Sequence, residues 1–109
     1  MSELVILCTA SEVEEGKPLA VNVEGLPPLG VYKIEQEYYV TDNICTHGMA
    51  ILTDGYQEGG EIECPFHGGA FDIKTGEATA FPCQIPIKTY PVTLQKDDIC
   101  IPASMEDQA

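Results

Sequence analysis

Cys45-Thr46-His47, sixteen intervening residues, then Cys64-Pro65-Phe66-His67: this stretch decides how the chain is read. It holds two cysteines and two histidines as two mixed pairs, and those two histidines are the only ones in the protein. Pro65 sits inside the second pair, and Gly48, Gly68 and Gly69 follow the pairs directly. Such residues suit tight loops rather than helices. Two loops that each present one thiol and one imidazole toward a common point make a metal site. Its donor set suits zinc or an iron–sulfur cluster.

The arrangement separates these two metals. Structural zinc sites usually take their cysteines from one short knuckle and their histidines from one helical turn. Here each loop carries one donor of each kind. In a Rieske centre one iron takes two cysteines and the other takes two histidines, so mixed pairs pin the cluster between two loop tips. The expected ligands of such a [2Fe–2S] cluster, one per chain, are Cys45, His47, Cys64 and His67. The cluster-binding loops should span about 43–52 and 63–71. A zinc-binding interaction module remains the alternative.

A length of 109 residues suits one domain, expected to span 1–109. No apolar run approaches the ~20 residues of a membrane span. No basic leader precedes an apolar stretch. These features point to a soluble, cytoplasmic protein and a monomer. Intracellular thiols stay reduced, so Cys8, Cys83 and Cys100 are expected to be free. Cys8 and Cys100 lie in apolar, strand-like patterns, and Cys83 reads as a bystander thiol because the ligand set is complete without it. Five basic against eighteen acidic side chains give a net charge of −13. Such a surface repels nucleic acid and anionic membranes and is steered toward basic patches on protein partners.

Along the chain, residues 3–9 read as a buried strand. Ser11 with Glu14 resembles a capping box for one helical turn. Residues 19–24 alternate as a half-buried strand. Residues 31–35 and 38–41 suggest a hairpin across Gln36-Glu37. Short strands are expected at 61–63, 70–73 and 77–80, with turns at Asp54-Gly55, Gly59-Gly60 and Lys74-Thr75-Gly76. Phe81-Pro82-Cys83 opens an irregular segment. Residues 87–94 read as one strand with Pro91 at a bend or edge, and 99–101 as the last. Residues 105–109 look like a loose acidic tail. Many short strands separated by turns predict an all-β, antiparallel sandwich or barrel.

At these residues the chain resembles the Rieske ferredoxins of bacterial aromatic-ring-hydroxylating dioxygenase systems. The resemblance is carried by Cys45-Thr46-His47 with Leu52, by Gly60–Ala78 (GEIECPFHGGAFDIKTGEA), and by Ile87–Val92 (IKTYPV). It implies a β-sandwich with a small cluster-binding subdomain. It also implies a third, proline-containing loop over the cluster, for which Phe81-Pro82 is the match. The implied role is a one-electron carrier from an NADH-dependent flavoprotein reductase to a terminal oxygenase, not an enzyme by itself. High-potential relatives carry an extra cysteine in each loop, where this chain has Ala50 and Phe66. They also place a serine and a tyrosine hydroxyl near the cluster sulfurs, where this chain has Gly69 and Phe71. Without those donors the implied potential is on the order of −150 mV. A Rieske-type small subunit of another redox enzyme, such as nitrite reductase, is the other redox reading. Gly48, Gly68 and Gly69 are expected to keep bulk away from the cluster, with Met49, Phe66 and Phe81 as apolar surface around it.

Overall fold

The computed structural model describes residues 3–46, 48, 50–65 and 68–103. Among these residues the chain is all-β, with strands in three antiparallel sheets and two single 3₁₀ turns, Ala10–Glu12 and Leu52–Asp54. The strands are β1 (Leu4–Thr9), β2 (Leu19–Val21), β3 (Leu29–Ile34), β4 (Glu37–Asp42), β5 (Tyr56–Glu58), β6 (Glu61–Glu63), β7 (Ala70–Asp72), β8 (Ala78–Ala80), β9 (Thr89–Tyr90), β10 (Thr93–Gln95) and β11 (Asp98–Pro102). One sheet runs β1-β11-β10, a second β2-β3-β4-β9, and a third β5-β6-β7-β8.

Strand β3 shows why three sheets hold together. Its side chains alternate between two cores. Leu29 and Val31 pack with Val40, Ile99 and Ile101 between the first two sheets. Tyr32 and Ile34, on the opposite face, pack with Leu52, Ile62, Phe71 and Ile73 of the third sheet and its flanks. A strand with both faces covered reads as a nearly continuous apolar run, and Leu29-Gly30-Val31-Tyr32 is fully buried. Tyr32 is the one large polar side chain in this strip. Its hydroxyl lies 2.9 Å from Thr41 Oγ1, whose own proton goes to the Asp42 carbonyl oxygen at 2.8 Å, so Tyr32 is the donor.

Several local expectations shift. The β3–β4 hairpin turns at Glu35-Gln36, not Gln36-Glu37, because Ile34 pairs with Glu37. That register sets Val31 against Val40 and Tyr32 against Tyr39, and Glu35 takes the positive φ of 59° that the tight turn needs. The capping box forms two residues early: the Glu12 carboxylate accepts from the Thr9 N–H at 2.9 Å, whereas the Glu14 backbone carbonyl accepts from the Lys17 N–H at 3.0 Å. The expected strand over 19–24 stops at Val21. The expected strand over 87–94 is two strands in two sheets, since β9 pairs with β4 and β10 with β11. Pro91 has no N–H to donate to a ladder, and the chain changes sheets there. Strand β5 was not legible as a strand; it is recruited by β6 through the Gly59-Gly60 turn. The acidic tail at 105–109 lies outside the described residues.

Candidate metal centre

Two loops carry the expected ligands, and each is closed by backbone bonds. The first leaves β4 at Asp42 and returns at Leu52. Cys45 N–H donates to the Ala50 carbonyl at 2.9 Å, Leu52 N–H to Asn43 at 2.8 Å, and Ile44 pairs with Ile51. Asn43 anchors it. This side chain is buried, its carbonyl accepts from the Thr53 N–H at 2.8 Å and its amide donates to Thr53 Oγ1 at 2.9 Å. The second loop joins β6 to β7, and Cys64 N–H donates across it to the Gly69 carbonyl at 2.6 Å. Both loops therefore rise from paired strands, as a rigid site requires.

Cys45 and Cys64 are buried, 2% and 1% exposed, and belong to one packed cluster. His47 and His67 lie outside the described residues, as do Met49 and Phe66. Among the described residues no set of three or more Cys, His, Asp or Glu forms a metal site; the two histidines that would complete this one are not among them. The two described donors, a pair of buried cysteines, fit the thiolate side of an iron–sulfur cluster. Two cysteines from two loops share one buried cluster, and among the described residues a Cβ at Gly48 or Gly68 would meet nothing within 4 Å.

The third segment, 81–86, packs against both loops, as the proline-containing loop was expected to do. Thr46 Oγ1 donates to the Ile85 carbonyl at 2.6 Å, which straps it to the first loop. Cys83, read from sequence as a bystander, touches the site. Its Sγ lies 3.6 Å from Cys45 Sγ, and the residue is 5% exposed. Burial pushes the Cys83 thiol up to about 12, helped by its contact with Cys45 and by the nearby charges of Cys45 and Cys64. Gly69 faces the same sulfur: a Cβ built on it would stand 2.4 Å from Cys83 Sγ. Gly69 is thus crowded rather than a source of open space. Phe71 is fully buried and brings no donor, as expected. Phe81 and Ile85 stand out at 78% and 64% exposed, an apolar rim on the third segment. Asn43 and the Thr46–Ile85 strap carry no motif of their own, and sequence reading passed over both.

A profile of the Rieske [2Fe-2S] domain matches residues 3–91. The chain belongs to this family. Its cofactor is accordingly a Rieske-type [2Fe–2S] cluster. The Rieske chain is 50% identical over 94 residues to the ferredoxin component of the naphthalene 1,2-dioxygenase system of Pseudomonas putida, covering 86% of this chain and 89% of that one. Among solved structures it superposes on the Sphingomonas yanoikuyae B1 ferredoxin with a TM-score of 0.92 at 58% identity, covering 94% of this chain and all of that one. It also superposes, with a TM-score of 0.87 at 37% identity, on a chain in the complex of reduced oxygenase and oxidized ferredoxin in carbazole 1,9a-dioxygenase, covering 93% and 94% of the two chains. No helix among the described residues is long and apolar enough to cross a membrane.

Proposed function

We propose that the whole chain, 1–109, is one Rieske domain that carries single electrons to the terminal oxygenase of an aromatic-ring-hydroxylating system, receiving them from an NADH-dependent flavoprotein reductase in the cytoplasm. The observation that carries this reading is the convergence of Cys45 and Cys64, from two separate backbone-closed loops, into one buried cluster beside Cys83. In this reading Cys45 and Cys64 would hold one iron of the cluster, and His47 and His67 would hold the other. The bound cluster supplies a one-electron couple.

The protein's own residues confine and present that couple. Core packing around Cys45 and Cys64 keeps water from the thiolate side. The Thr46–Ile85 strap holds the third segment against the first loop. The exposed Phe81 and Ile85 side chains give a partner apolar area beside the site. The net charge of −13 supplies attraction toward a basic partner face. The names of the relatives support the oxygenase as acceptor, and the oxygenase–ferredoxin complex supports direct docking.

Two measurements test the reading. Purified protein should contain about two irons and two labile sulfides per chain and show the electron paramagnetic resonance of a Rieske centre when reduced. Stoichiometric zinc without sulfide would sink it. The reduced protein, mixed rapidly with a ring-hydroxylating oxygenase, should then be oxidised in a single second-order phase. Failure to transfer with an intact cluster would point to a different redox enzyme as the acceptor.

A further inference from the structure

We infer that Cys83 donates a thiol hydrogen bond to the sulfur of Cys45 and thereby sets the reduction potential of the site; the inference rests on Cys45 being a cluster ligand. The two sulfurs lie 3.6 Å apart, within S–H···S range, and both side chains are buried. Either sulfur could donate when both are thiols. A metal-bound cysteine is a thiolate and has no proton, so ligation leaves Cys83 as the donor.

The surroundings hold Cys83 in this pose. Its backbone N–H is taken by the Ala80 carbonyl at 3.1 Å. The Thr46–Ile85 bond ties the following residues to the loop that bears Cys45. On the far side Gly69 supplies the room: a Cβ there would meet Cys83 Sγ at 2.4 Å, the Cys83 N at 3.2 Å and its Cβ at 3.3 Å. The thiol therefore fills the volume that a side chain at position 69 would take. Gly69 and Phe71 have no side-chain donors, so neither of these loop positions offers a side-chain hydrogen bond to sulfur. The structure supplies one from a third segment.

The effect has a definite sign. An S–H dipole aimed at a ligand sulfur favours the state in which that sulfur carries more negative charge. That is the reduced state, so the contact raises the midpoint. Cys83 acts through Cys45 and is a positioning residue, not a ligand.

The test uses the loaded protein. Iron and sulfide content are measured first, since low values in the unmodified protein would count against the cluster itself and not against this contact. Cys83→Ala should keep iron and sulfide at the unmodified level while its midpoint, by protein-film voltammetry, shifts to lower potential. Cys83→Ser, with a hydroxyl donor, should recover at least part of that shift. An unchanged midpoint in Cys83→Ala with a full cluster overturns the inference. Should the alanine variant lose its cluster, the answer comes from a Cys8→Ala/Cys100→Ala protein, in which Cys83 is the one remaining free thiol. Its S–H stretching band should move to lower frequency when the protein is reduced, as the bond strengthens. A band that ignores reduction overturns the inference equally.

Discussion

The Thr46 hydroxyl donates to the Ile85 carbonyl oxygen at 2.6 Å, across 39 positions of sequence. This bond closes the third segment over the first ligand loop, between residues that share no strand. A net contribution of about 1 kcal/mol is normal for such a bond. Thr46→Val keeps the shape and removes the donor. It should lower stability by about that amount and release the cluster faster to a chelator, followed as loss of visible absorbance. Equal rates in the two proteins would mean that the strap is cosmetic.

Gly69 and Cys83 should behave as one unit. Gly69→Ala forces a methyl group against Cys83 Sγ, and such overpacking costs about 1–3 kcal/mol. Gly69→Ser faces the same clash, so restoring a hydroxyl at this position will not by itself report on hydrogen bonding. With Cys83→Ala in the background the clash with sulfur is gone, leaving only the closer-than-usual contacts with the backbone N and Cβ of residue 83, and the second substitution should cost less. A double-mutant cycle in thermal unfolding should give a favourable coupling of at least ~1 kcal/mol. Additive costs would contradict the geometry.

The proposed ligand set predicts an unequal response among the histidines and cysteines. His47→Ala and His67→Ala should each yield protein without labile sulfide. Cys8→Ser and Cys100→Ser should retain it, because those two residues lie on β1 and β11 and not on the loops. Iron and sulfide assays on the purified variants decide this. A sulfide-replete His47→Ala protein would remove that residue from the ligand set.

Alkaline pH should unfold the protein through Tyr32. Burial raises its phenol from an ordinary value of 10.0 to about 12. The unfolded chain thus loses this proton near pH ~10, and the native state keeps it until about 12. Between those values the unfolded state binds fewer protons, so stability is complete below pH ~10 and falls as pH rises through the window. Tyr90 adds to the slope in the same sense, raised by burial and by its hydrogen bond to Asp42. Urea midpoints taken across this range should fall steeply, and Tyr32→Phe should flatten the fall.

Electron transfer to an oxygenase should slow with added salt. A carrier of charge −13 gains long-range attraction to a basic partner, and that attraction is screened beyond about 8 Å at ~0.15 M ionic strength. Stopped-flow rates over a salt series check it. Rates that ignore salt would assign docking to apolar area such as Phe81 and Ile85.

The ligand spacing, the turn residues and the alternating short strands together determine the all-β class and the two loops and point to the proposed donor set. These are local properties, since side-chain chemistry and the preferences of glycine and proline act within a few residues. Residues far apart in sequence decided the rest. The hairpin register followed from Val31 meeting Val40 and Tyr32 meeting Tyr39. The break at Pro91 became a change of sheet because β4 and β11 each offered an edge. Cys83 read as a bystander because the ligand set is complete without it. Only the packing of a third segment against Cys45 and Gly69 gives its thiol a partner, and contact between distant segments depends on how the whole chain fills its core.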